Sequence, residues 1–222
     1  MSNKSLMFFC LAAALLTSVG CTPVQTKEDD GPPPPQNLLG TTDELQLVTE
    51  LSFDLAKKYG ADRILVVLGM DNTLLIAEQD AECPESAMRL TQADAAKQVG
   101  RMQEAGMKVI VLTSRGPECR TQTLQELSRN GFGFRASAWP PQNGYPEPFL
   151  PEGGGRPVIY EEGVFFTAGQ DKGLMLTTLL EKTGDSAPAV IVMVDHRQDD
   201  LNEVMRVFSW TGTKVHAWRY TR

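Results

Sequence analysis

The chain has 222 residues, 41% hydrophobic and 22% charged, enough for one α/β domain with a sizeable core plus an appendage. Its net charge is −7 and its pI about 4.9. No basic cluster follows residue 5, which argues against a nucleic-acid partner, because phosphate backbones are held by grouped Lys and Arg.

The first twenty residues read as an export signal. Lys4 supplies a positive start and Leu6 to Val19 form an apolar run, too short for a bilayer span of roughly 20 apolar residues. The run ends in Ser18-Val19-Gly20-Cys21, which resembles the lipobox of bacterial lipoproteins, although Ser18 stands where that family has an aliphatic residue. The resemblance implies cleavage before Cys21, a diacylglycerol on its sulfur and attachment to a membrane of the cell envelope. Thr22 after the cysteine further resembles lipoproteins sent to an outer membrane, facing the periplasm or the cell surface. Residues 21–40 carry Lys27, Glu28, Asp29, Asp30 and Pro32 to Pro35, a composition expected of a solvated tether. The folded domain is expected over residues 41–222.

From Thr41 helix and strand signals alternate. Thr41 with Glu44 has capping-box spacing, and Leu45, Val48, Leu51 and Leu55 repeat at helical spacing as far as Gly60. Ile64 to Leu68 is a short apolar run suited to a strand buried on both faces. A helix is expected from Thr91 to Ala105, a second buried strand over Met107 to Leu112, and a helix from Pro117 to Asn130. Residues 132–157, rich in Gly and Pro, read as loop. Val158 to Tyr160 and Val164 to Thr167 flank Glu161-Glu162-Gly163 as a hairpin. Helices over Leu174 to Leu180 and Leu201 to Phe208 alternate with strands at Val190 to Val194 and Lys214 to Trp218. Phe165, Phe166, Trp210 and Trp218 read as core or edge packing. This order predicts a three-layer, Rossmann-like α/β fold with a mostly parallel sheet, whose ligand site lies beyond the carboxyl ends of the strands.

Those ends carry the chemistry. The first strand runs into Gly69-Met70-Asp71-Asn72-Thr73, the second into Thr113-Ser114-Arg115, and the third into Asp195-His196-Arg197-Gln198-Asp199-Asp200; Asp171-Lys172-Gly173 opens a helix between them. A lysine and hydroxyls suit phosphate oxygens, and acids suit a divalent cation. Asp199 and Asp200 are equally readable as acids at a helix N-terminus, and His196 as a polar loop residue. The chain has no CxxC, HExxH, GxSxG or GxxxxGK[ST] pattern.

In order and context, VVLGMDNTLL, VIVLTSR, DKG and IVMVDH resemble the four motifs of the haloacid dehalogenase superfamily over roughly residues 60–222. The stretch from YEEGVFFT to DKG resembles an uncharacterised exported branch of it. The resemblance implies a phosphatase-like fold with a small insertion or hairpin instead of a large cap domain. It implies a small phosphorylated ligand held by Asn72, Thr113, Ser114 and Lys172, and Mg²⁺ held by Asp71, Asp195 and Asp199. It makes Asp71 the general acid, with Thr113 and Lys172 completing the catalytic set. The departure is Gly69, which stands where the family has the aspartate that attacks phosphorus and contributes a second metal carboxylate. The expectation is therefore a pseudo-enzyme with weakened Mg²⁺ binding. A working phosphomonoesterase using Asp71 or a metal-bound water, and a non-catalytic envelope interaction module, remain as alternatives. Cys83 and Cys119 follow the first and second strands; they are expected either as a disulfide bracing the pocket rim or as two separate thiols.

Overall fold

A computed structural model describes residues 37–78, 83, 84 and 86–222; the expected signal, Cys21 and most of the tether lie outside them. The first elements are β1 (Leu38–Thr42), α1 (Leu45–Tyr59), β2 (Ile64–Leu68) and a two-stranded antiparallel ribbon, β3 (Leu75–Ile76) with β4 (Arg89–Leu90). Next come α2 (Ala95–Glu104), β5 (Lys108–Thr113), α3 (Arg120–Arg129) and the strands β6 (Gly144–Phe149), β7 (Val158–Glu161) and β8 (Val164–Phe166). The chain ends with α4 (Lys172–Thr183), β9 (Val190–Asp195), α5 (Gln198–Phe208) and β10 (Lys214–Tyr220).

Eight strands form one sheet in the order β1-β10-β9-β2-β5-β8-β7-β6. Every pair from β1 through β8 is parallel, and β7 and β6 add antiparallel pairs at one edge. The protein is thus an α/β fold with a mostly parallel sheet flanked by helices, compatible with a Rossmann-like arrangement.

Alternation along the buried strands builds two cores. Ile64, Val66 and Leu68 of β2 join Leu45 and Val48 of α1 and Val99 and Met102 of α2 on one face. Leu65 and Val67 join Leu176 and Leu179 of α4 and Leu201 and Val204 of α5 on the other. A strand between two helical layers has no solvent face, which is why β2 and β9 read as unbroken apolar runs.

Four local expectations are corrected. The tether ends earlier than residue 40, because Leu38–Thr42 pairs along β10 from His216 to Tyr220. Thr41 is therefore committed to a strand opposite Arg219 and forms no capping box. Glu44 occupies the N-cap without a side-chain cap, and the Leu45 N–H donates instead to Gln92 Oε1 at 3.0 Å. The Gly- and Pro-rich stretch expected as loop contains β6, which tolerates Pro146 and Pro148 because it is an edge strand with a register break between Tyr145 and Phe149. Trp210 is 92% exposed, not packed. The hairpin turns through Glu162 and Gly163, both at positive φ (47° and 81°), as a two-residue turn of the favoured hand requires.

Candidate functional site

The sheet reverses its winding at β2: the chain moves from β2 to β5 on one side and later returns to β9 on the other. Ligand sites of open α/β sheets form at such a switch, beyond the carboxyl ends of the strands. A cavity of about 630 Å³ opens there, lined among others by Asp71, Thr113, Ser114, Lys172, Asp195 and Asp200.

Gly69 directly follows β2, and its N–H donates to the Val194 carbonyl of β9 at 2.8 Å. A Cβ at this position would lie 2.5 Å from Asp195 Oδ2, 2.9 Å from Asp195 Cγ and 3.0 Å from Thr73 Oγ1. The Asp195 carboxylate therefore fills the space that a side chain on residue 69 would need. Asp195 is 1% exposed. Its Oδ2 accepts from Lys172 Nζ at 2.6 Å, and its Oδ1 accepts from the Arg197 N–H at 3.0 Å and lies 3.3 Å from His196 Nδ1.

Lys172, the first residue of α4, also pairs with Asp200 Oδ2 at 2.7 Å, and Asp200 Oδ1 lies 3.3 Å from Arg197 Nε. Burial opposes both charges. For Lys172 the two carboxylates outweigh it and raise the pKa above the ordinary lysine value. For Asp195 the Lys172 charge, with hydrogen bonds from His196 and the Arg197 amide, outweighs burial and holds the carboxyl at about 2. Local structure fixes the lysine. Asp171 caps α4 by accepting from the Leu174 N–H at 2.9 Å, and Glu203 of α5 accepts from the Lys172 N–H at 2.7 Å. Burial raises the pKa of Glu203. Gly173 lets the two helices approach: a Cβ there would collide with the Glu203 carbonyl and lie 2.8 Å from Val207 Cγ2.

In the same cavity Asp71 is held by Arg115 through two bonds, Nη2 to Oδ1 at 2.6 Å and Nε to Oδ2 at 3.0 Å. Arg115 is 2% exposed and also donates to Thr123 Oγ1 at 3.0 Å. Both oxygens of Asp71 are engaged as acceptors, so acting as a general acid would require release from Arg115. Asn72, exposed and at φ 52°, lies on the cavity wall. Thr73, fully buried, accepts from the His196 N–H at 3.0 Å and ties the turn after β2 to the turn after β9. Thr113 Oγ1 accepts from the Arg115 N–H at 3.2 Å, and Ser114 stands beside it on the wall.

The structure thus gathers Asp71, Asn72, Thr113, Ser114, Lys172 and Asp195 around one cavity. It leaves out Asp199, which is exposed, while the next residue, Asp200, turns inward. Arg115 and Arg197, given no role by sequence, supply cations to the site.

Of the expected Mg²⁺ set, Asp71 and Asp195 are each paired with a cation of the chain and Asp199 is exposed and does not line the cavity. Among the described residues no group of three or more His, Cys, Asp or Glu side chains is placed to hold a metal ion.

Cys83 and Cys119 form a disulfide with Cα atoms 5.4 Å apart. Pro84 beside Cys83 lines the cavity, so the bridge fastens this rim to the segment that follows β5.

Residues 83–222 match a family described as "Protein of unknown function (DUF2608)". The match contains Thr113, Lys172, Asp195 and Asp200 and begins after Gly69. No curated protein and no solved structure matches the chain.

Proposed function

The chain belongs to the DUF2608 family, whose function is unassigned, and we propose that it is a lipid-anchored envelope protein with a disarmed haloacid-dehalogenase-type pocket: a pseudo-phosphatase that binds a small phosphorylated ligand without hydrolysing it. The observation that carries this reading is the Asp195 carboxylate lying where a residue-69 side chain would project. Covalent phosphoryl transfer needs an accessible nucleophile in line with phosphorus. Residue 69, directly after β2, has no side chain to supply one, and the carboxylate that fills its space is buried and bound to Lys172.

Several features support recognition without turnover. The cavity has the size of a small-molecule site. Thr113 and Ser114 place hydroxyls at the end of β5, and Arg197, with its side chain 56% exposed, offers a guanidinium to the same cavity. Arginine suits planar, multiple hydrogen bonding to phosphate. Anchoring through Cys21 would hold the domain at an outer membrane, facing the periplasm or the cell surface. No helix among the described residues is long and apolar enough to cross a membrane.

The test is a titration of the purified protein in EDTA with inorganic phosphate and a panel of phosphomonoesters, read by calorimetry. Saturable binding weakened about tenfold by Arg197→Ala, a loss of about 1.4 kcal/mol, is expected. Absence of saturable binding to any compound would remove phosphate recognition from the proposal.

A further inference from the structure

We infer that the Lys172 ammonium is the resident cation of this pocket and takes the place of a divalent metal, so that ligand binding here is independent of Mg²⁺. The inference deepens the reading above, since it concerns the same residues.

Two carboxylates from different elements, Asp195 at the end of β9 and Asp200 in the first turn of α5, converge on one buried point, and Nζ occupies it at 2.6 and 2.7 Å. The second negative charge, on Asp200, faces the Arg197 guanidinium, whose Nε lies 3.3 Å away, while the main-chain N–H of Arg197 donates to Asp195. The acids are therefore already neutralised by groups of the chain itself. Mg²⁺ requires near-octahedral oxygen ligands at about 2.0–2.1 Å and sheds its water reluctantly. To reach Asp195 it would have to displace Lys172 or lie beside it, and Lys172 is 4% exposed. Its backbone is fixed as well, by the Glu203 bond and by the close helix packing that Gly173 permits. A buried ammonium held by two carboxylates repels a nearby dication.

Gly69 belongs to the same arrangement. Asp195 can lie against Lys172 in this pose because no Cβ projects from residue 69. The resemblance to haloacid dehalogenases assigns Lys172 to the phosphoryl charge and Asp195 to the metal; here each is spent on the other. Loss of the nucleophile and loss of the metal site are one structural change.

The experiment uses Mn²⁺ alone as the probe, with no phosphorylated compound present, so that it is decided separately from ligand recognition. Mn²⁺ binding is followed by electron paramagnetic resonance for wild type, Lys172→Met and Lys172→Met with Asp195→Asn. Wild type is expected to show no saturable site at millimolar Mn²⁺. Lys172→Met should bind one ion at least tenfold more tightly, and Asp195→Asn should abolish that site. A single wild-type site removed by Asp195→Asn would overturn the inference. So would a folded Lys172→Met protein that binds no better than wild type. If Lys172→Met does not fold, Lys172→Gln, which keeps the length and polarity but not the charge, serves in its place, and the wild-type titration decides the metal question by itself.

Discussion

Placing a methyl group at Gly69 tests the geometry of the site most sharply. In Gly69→Ala the new Cβ begins 2.5 Å from Asp195 Oδ2, whereas ordinary contact starts near 3.4 Å. Asp195 must retreat, and its 2.6 Å bond to Lys172 lengthens or breaks. Removing one partner of a buried ion pair costs about 3–5 kcal/mol. Here Lys172 keeps Asp200 and Asp195 keeps the Arg197 amide, so roughly half of that loss applies. Gly69 has no positive φ, and alanine therefore returns about 0.4–1 kcal/mol by restricting the unfolded chain. The net loss is about 1–2 kcal/mol, or roughly 2–8 °C in melting temperature for a domain of this size. The assay is thermal unfolding of the purified protein, compared with wild type in EDTA. Gly69→Asp should fall further in EDTA, because it places a third carboxylate around one lysine, and should regain stability when Mg²⁺ is added. A Gly69→Ala protein that melts with wild type would refute the placement of Asp195.

Three further outcomes follow from the same structure. Asp195 titrates near 2 when folded against 3.8 for the free side chain, so its contribution of about 2 kcal/mol is present above pH 4 and disappears as the pH falls toward 2; urea unfolding at stepped pH should show Asp195→Asn lacking this part of the acid limb. The Cys83–Cys119 bridge spans 36 residues, which corresponds to about 4 kcal/mol of loop-closure entropy. A paired Cys83→Ser and Cys119→Ser variant should lose stability of that order in denaturant, and unreduced wild type should yield no reactive thiol from either residue. Gly173→Ala forces α4 away from α5 and should cost about 1–3 kcal/mol by thermal unfolding; a neutral result would mean that the helices do not approach as closely as the missing side chain permits.

The central strands are legible from sequence because burial on both faces leaves them as unbroken apolar runs, and the hairpin because Glu162-Gly163 meets a specific turn requirement. The edges are not. Leu38–Thr42 has two half-exposed leucines and a glycine and lies beside a proline run, while β6 contains two prolines; edge strands escape the constraints that make inner strands recognisable. At the site, strand ends locate the hydroxyls, the lysine and the acids. Helical phase could have selected Asp200 over Asp199, since Asp200, Val204 and Phe208 recur on the buried face of α5. The Arg115–Asp71 pair joins residues 44 apart, and the capture of Asp195 by Lys172 depends on the void at Gly69; both are properties of packing that no short motif carries.

The central claim is most directly tested by turnover of the wild-type protein on a phosphomonoester panel, with and without Mg²⁺. No hydrolysis above the uncatalysed rate is expected in either condition, and Asp71→Asn should change nothing. Robust hydrolysis by wild type that Asp71→Asn abolishes would make Asp71 the working residue and contradict a disarmed site.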